Sequence, residues 1–244
     1  MMPNRSIKVV ADASAVAAAA ARRIVDLAED AISTGGSFSI ALSGGSTPRT
    51  LYQLLAGDPY LQRIDWKNWR IYFGDERCVG PTHPDSNFRM AGESLLDRVP
   101  VLPDHVHRMR GEIDPHQAAV EYGVLLKQHF GEGGLDVILL GMGDDGHTAS
   151  LFPRSAALSE THHRCVANFV EKLGAWRITM TAPFINRARQ VIVMATGAAK
   201  ADRLHQVLDL GPDTQNLPIQ LIDPPDGQAL WLLDVMAAAK LGTH

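Results

Sequence analysis

Two hydrophobic patterns alternate along the chain. Short apolar runs occupy residues 7–10, 38–42, 69–73, 135–140, 177–181, 191–196 and 229–234. Their length and composition predict strands, and the continuous run at 135–140 suits a strand buried on both faces. Between the runs, apolar positions recur at helical spacing. Val16, Ala20, Ile24, Leu27 and Ala31 form such a stripe, opened by Asp12 as N-cap and closed by Gly35-Gly36. A second helix is expected after residues 43–48, with Pro48 at its first position. Others are expected near 88–96, from the Asp114-Pro115 cap to about residue 130, and after Gly197, where the helix carries Lys200 and Leu204. A short Ala-rich helix is expected after the last strand, and residues 156–164 and 211–226 read as surface loops.

Strands alternating with helices predict an α/β fold, a mostly parallel central sheet with helices on both faces. No repeat, low-complexity tract or linker interrupts the pattern, so 1–244 reads as a single domain. Hydrophobic residues make up 45% and charged residues 20% of the chain, which suits a globular protein and excludes wholesale disorder. The net charge of −4 excludes a broadly basic nucleic-acid binder but leaves room for a local basic pocket. Cys78 and Cys165 read as free thiols of a reducing cytoplasm. No apolar run approaches the ~20 residues that a membrane helix needs. The Ala-rich stretch 15–21 has Asp12 before it and Arg22-Arg23 after it, the wrong charge order for a secretory signal.

Chemistry concentrates in loops that follow predicted strands, and in an open α/β sheet such loops meet at the carboxyl edge. The first holds Ser43, Gly44, Gly45, Ser46 and Thr47 just before a helix. Free backbone N–H groups at a helix start attract phosphate; the bland reading is an ordinary Gly-rich turn. The loop lacks the Lys of a Walker motif and the spacing of a dinucleotide loop, so no nucleotide cofactor is expected. The second, Gly74-Asp75-Glu76-Arg77, is either a solvated charge cluster or a source of substrate contacts from Asp75 and Arg77. The third, residues 141–148, brings Gly141, Gly143 and Gly146 close to a single His147. Imidazole is the default general acid or base near neutral pH, and Asp145 is placed to fix its tautomer and raise its basicity. The competing reading is a His147 that caps a following helix.

Arg177 and Lys200 are either surface charges or partners for a phosphate dianion. Metal readings are weaker. His105 and His107 share one strand face and His162-His163 point apart, with no carboxylate or Cys to complete a set. Asp144-Asp145-Gly146 lacks the acidic spacing of a calcium loop, and there is no G-x-S-x-G elbow.

Taken together, Ala41-Leu42-Ser43-Gly44-Gly45-Ser46-Thr47-Pro48, Gly74-Asp75-Glu76-Arg77, Ser86-Asn87-Phe88 and the long run from Leu140 through His147 to Pro153 resemble the 6-phosphogluconolactonase family. Arg177-Ile178-Thr179-Met180-Thr181, Ile185-Asn186 and Gly197 with Lys200 match in order. The related glucosamine-6-phosphate deaminases carry Asp-Glu-Tyr-type residues where Asp75-Glu76-Arg77 stands. Their His loop continues toward Ile-Ala-Phe-Asn-Glu, where this chain reads Thr148-Ala149-Ser150-Leu151-Phe152.

The resemblance implies a metal-independent, cofactor-free hydrolysis of 6-phospho-D-glucono-1,5-lactone, the second step of the oxidative pentose phosphate pathway. It implies His147 as base and proton shuttle, with Asp145 orienting it. Residues 43–47 with Arg177 and Lys200 would hold the phosphate. Asp75 and Arg77 would meet substrate hydroxyls or the developing carboxylate, Arg77 with a catalytic share. The expected partner is a small phosphorylated sugar lactone, not nucleic acid or membrane, and the expected assembly is a monomer or weak homo-oligomer in the cytoplasm. The alternatives are a sugar-phosphate deaminase or isomerase on the same scaffold, and a non-catalytic sugar-phosphate sensor. The sensor reading expects a DNA-binding helical segment, for which the few residues before Ile7 leave no room.

Overall fold

The computed structural model describes residues 5–242. Six strands form a wholly parallel sheet: β1 (Arg5–Val10), β2 (Phe38–Leu42), β3 (Trp69–Phe73), β5 (Val137–Gly141), β8 (Gln190–Ala195) and β9 (Gln228–Asp234). Their order across the sheet is β1-β9-β8-β5-β2-β3. A second, antiparallel sheet holds β4 (Asp75–Arg77), β7 (Ala175–Met180) and β6 (Cys165–Val170), in that order.

The central strands show why their sequences are apolar throughout. In β5, Val137 and Leu139 face one core, while Ile138 and Leu140 face the other. In β8, Ile192 and Met194 join the first core, and Val191 and Val193 the second. Successive side chains of a strand point to opposite faces, so a strand covered on both sides has no polar positions to spare. The first core is closed by α1 (Ala13–Gly35), α2 (Ser46–Leu55) and α4 (Asn87–Ser94), and the short α3 (Tyr60–Arg63) adjoins it. The second is closed by α5 (Pro115–Phe130), α6 (Ala182–Ile185) and α7 (Ala201–Leu208). The α1 boundaries are as expected: Asp12 accepts from the Ala15 N–H at 2.8 Å, and Gly36 adopts the left-handed conformation.

Several elements differ from the sequence reading. Residues 75–77 are not a loop but a short strand, because Gly74 hands the chain from one sheet to the other. Its N–H reaches Leu42 O at 2.9 Å, and its carbonyl accepts from Met180 N at 2.8 Å. The strand expected at 177–181 belongs to the small antiparallel sheet, and β6 beside it was not anticipated. Helix α2 begins at Ser46, so Pro48 lies in its first turn but not at the first position. The Ala-rich segment after β9 forms turns held by Asp234, which accepts from Ala237 N at 2.7 Å. Cys78 and Cys165 are both free thiols. Among the described residues no helix is long and apolar enough to cross a membrane.

Candidate active site

The carboxyl ends of β2, β3, β5 and β8 open onto one cleft with two lobes. The first lobe, about 290 Å³, is lined by residues 43–48 and by Asp75, Arg77, Asn87, His147 and Lys200 among others. The second, about 280 Å³, shares Asp75, Arg77 and His147 and adds Asp145, Lys172 and Arg177.

The Gly-rich loop ends β2 and starts α2. Tyr52, fully buried on α2, pins its origin: the phenol accepts from Ser43 N at 2.9 Å and donates to Ser43 O at 2.8 Å. Burial, and secondarily the Asp75 charge, pushes that phenol far up despite the Ser43 hydrogen bond, so it stays a neutral donor. Gly45, with φ of 107°, caps the helix without a side-chain hydrogen bond. The first N–H groups of α2 therefore have no partner from their own cap, the arrangement that suits an anion. Thr47 Oγ1 meets Thr196 Oγ1 at 3.1 Å, tying the loop to the end of β8.

Gly44 is glycine for want of space, since a Cβ there would overlap the Asn87 side-chain amide. Asn87 is held in turn by Glu76, the residue between the two expected site members. The buried Glu76 carboxylate accepts from Asn87 N and Arg77 N at 2.7 Å, Phe88 N at 2.8 Å and Ser86 Oγ at 3.0 Å. Burial raises its pKa despite these four bonds. Glu76 thus builds the start of α4 and does not face the cleft. The Asn87 amide donates to Asp75 O at 3.0 Å and Asp75 Oδ1 at 3.2 Å, while Asp75 Oδ2 accepts from Ser150 Oγ at 2.6 Å. Asn87 was not expected at the site; the motif Ser86-Asn87-Phe88 was its only signal.

His147 has a fully specified setting. Its Nδ1 lies 2.5 Å from Asp145 Oδ1, and its ring stacks on Phe152 with centroids 4.1 Å apart. Gly143 passes so close beneath the ring that a Cβ would overlap it. No helix follows: the chain turns through a Thr148–Leu151 bridge, with Ala149 at φ 46°. His147 is therefore not a helix cap. A non-glycine residue in the left-handed region, here Ala149 lining both lobes, is the kind of local strain that gathers at functional sites. Burial would raise the Asp145 carboxyl, but hydrogen bonds from His147 and Lys172 outweigh it and hold it down at about 2. An ionised Asp145 only accepts, so in the neutral ring Nδ1 carries the proton and Nε2 the lone pair.

The expected cluster of Arg77, Arg177 and Lys200 is divided. Lys200 lines the first lobe with the Gly-rich loop, and its ammonium pairs with Asp144. That ion pair lowers the Asp144 carboxyl. Arg177 lies in the second lobe, opposite Arg77 in the β4–β7 register. Burial, then the Arg77 charge, lowers the Arg177 guanidinium. The register explains the split: β7 belongs to the small sheet, so Arg177 reaches the cleft from the side away from α2. Of these three cations, Arg77 alone lines both lobes. Among the described residues no group of three or more His, Cys, Asp or Glu is arranged to hold a metal ion.

A parallel sheet whose helix start and His–Asp pair share one cleft defines the α/β class that binds its ligands at the carboxyl edge. A family model described as glucosamine-6-phosphate isomerases/6-phosphogluconolactonase matches residues 11–231. A 6-phosphogluconolactonase of a Nostoc species is 40% identical over 244 residues, spanning 98% of this chain and 99% of the relative. One from a Synechocystis species is 42% identical over 217 residues, 86% of this chain and 88% of that one. The solved 6-phosphogluconolactonase of Trypanosoma brucei superposes with a TM-score of 0.86 at 33% identity, covering 98% of this chain and 99% of its own. A monomeric glucosamine-6-phosphate deaminase shares the fold, with a TM-score of 0.83 at 19% identity. The chain belongs to the glucosamine-6-phosphate isomerase/6-phosphogluconolactonase family.

Proposed function

We propose that this protein is a 6-phosphogluconolactonase that hydrolyses 6-phospho-D-glucono-1,5-lactone to 6-phospho-D-gluconate in the pentose phosphate pathway, with His147 as general base. The supporting observation is the Asp145–His147 pair at 2.5 Å, opening on the same cleft as the uncapped start of α2. The lactone is an ester activated by its ring, so a base, a returned proton and donors for the oxyanion suffice.

The phosphate sits on the N–H groups of Ser46 and Thr47, with Ser43, Gly44 and Gly45 shaping the loop and Lys200 turning from Asp144 to the dianion. This anchor fixes the far end of the sugar and sets the carbonyl beside His147. Nε2 takes a proton from water as the water oxygen bonds to C1. Asp145 stabilises the imidazolium through Nδ1–H. The C1–ring oxygen bond then breaks, and Nε2 returns the proton to that oxygen. Arg77, present in both lobes, donates to the developing oxyanion. The free lone pairs of Asp75 accept from a sugar hydroxyl, and Arg177 assists from the second lobe. We place the enzyme in the cytoplasm as a monomer or weak homo-oligomer.

The direct test supplies fresh lactone and, separately, glucosamine 6-phosphate. Lactone loss above the spontaneous rate, without ammonia release from the amino sugar, is expected. Ammonia release without lactone turnover would overturn the reading.

A further inference from the structure

We propose that Lys172 is a positioning residue for His147: it holds the outer oxygen of the Asp145 carboxylate and cancels part of its charge. The inference rests on the reading of His147 as the base. Lys172 lies 27 residues from Asp145 in sequence. It is carried on the single turn Glu171–Leu173 between β6 and β7, and Gly174, at φ 57°, closes that hairpin. The turn brings Nζ to 3.0 Å from Asp145 Oδ2, while Oδ1 faces His147 Nδ1. The two carboxylate oxygens are thus divided between two residues, His147 on Oδ1 through Nδ1 and its backbone N–H, and Lys172 on Oδ2.

Stability does not explain this pair. The Lys172 side chain is 69% exposed, and ion pairs so exposed contribute little. The second lobe already holds Arg77 and Arg177, so a third cation adds repulsion. The consequence falls on Asp145, whose side chain is only 22% exposed. Without Lys172 the outer oxygen loses its partner while Oδ1 keeps the His147 N–H and Nδ1, and the whole charge of the carboxylate bears on the imidazole. It then holds the imidazolium more tightly, and Nε2 is a poorer acceptor at mildly acidic pH and a slower donor to the ring oxygen. With Lys172 both oxygens are engaged and the pull of the carboxylate is tempered.

The other groups around the ring leave this role to Lys172. Phe152 and Gly143 cover the ring faces without charge. Asp144 pairs with Lys200 and is hydrogen-bonded to neither ring nitrogen, and Asp75 is engaged by Ser150 and Asn87. Arg77 and Arg177 line the lobe with no ion pair to Asp145 among the described residues.

The test measures kcat and KM for Lys172→Met and Lys172→Arg from pH 5 to 8, with spontaneous hydrolysis subtracted. For Lys172→Met, the ratio of kcat at pH 6 to kcat at pH 8 should fall about threefold below the wild-type ratio, as expected for losing one cation near the base. KM should stay within about twofold, the thermal midpoint should not move, and Lys172→Arg should restore the wild-type profile. An acid limb that disappears in His147→Gln but is unchanged in Lys172→Met overturns the proposal alone. A pH-independent loss shared by Met and Arg also overturns it. Normal turnover by His147→Gln overturns the base reading, and this proposal with it.

Discussion

Replacing Asp145 by Asn preserves the shape of the side chain and removes its charge. The bond at stake, Asp145 Oδ1 to His147 Nδ1 at 2.5 Å, becomes charge-assisted on both sides once the imidazole takes a proton. Hydrogen bonds to charged groups contribute about 1.5–3 kcal/mol. At about 1.4 kcal/mol per factor of ten, losing that stabilisation only in the transition state lowers kcat roughly 10- to 100-fold. KM should change little, because Asp145 lies in the second lobe, away from the loop at 43–47. The effect should hold across neutral pH. The Asp145 carboxyl is held at about 2, below its ordinary 3.8, so its ionised form and the stability linked to it persist above pH 4 and are lost only as pH falls toward 2. A pH-indicator assay at saturating lactone, with a urea titration to confirm folding, reads the result. A loss of kcat below about twofold, or a loss expressed wholly in KM, would refute the argument.

Three further outcomes follow from the geometry. Lys200→Ala should raise KM about tenfold or more with kcat largely kept, since a charge-assisted contact to phosphate is made in ground and transition state alike; steady-state kinetics decide. Gly44→Ala should displace the Asn87 amide and its two bonds to Asp75, costing about 1–3 kcal/mol in urea unfolding, whereas Gly35→Ala, with open space around it, should not. His107 is held at about 4 by burial, then by its neighbours His129, Arg70 and His105. Its folded value lies below the 6.5 of the unfolded chain, so stability is lost as pH falls from 6.5 toward 4; thermal midpoints should drop in that window and drop less in His107→Gln.

Strands β2, β3, β5 and β8 of the central sheet were legible because both faces of the sheet are covered there, so that each reads as an apolar run, whereas the edge strand β1 has no buried residue. The small sheet was not. Strand β4 is Asp75-Glu76-Arg77, polar throughout, and nothing local separates it from a loop; its partner β7 lies about a hundred residues on. The loop residues at 43–47, His147 and Asp145 stood out because small and polar residues directly after a buried strand have few structural uses. Asn87, Glu76 and Lys172 carry no such signature. Their roles come from pairing across the fold, with Gly44, with the start of α4 and with Asp145. The division of the three cations between two lobes also depends on which sheet holds β7, a tertiary fact.

The claim that His147 is the base is tested most directly by His147→Ala, assayed with freshly prepared 6-phosphogluconolactone against the spontaneous rate. Removal of a general base should lower kcat by roughly 10²-fold or more, with KM nearly unchanged because the phosphate anchor is intact. A folded His147→Ala enzyme that turns the lactone over at near the original rate would contradict the account.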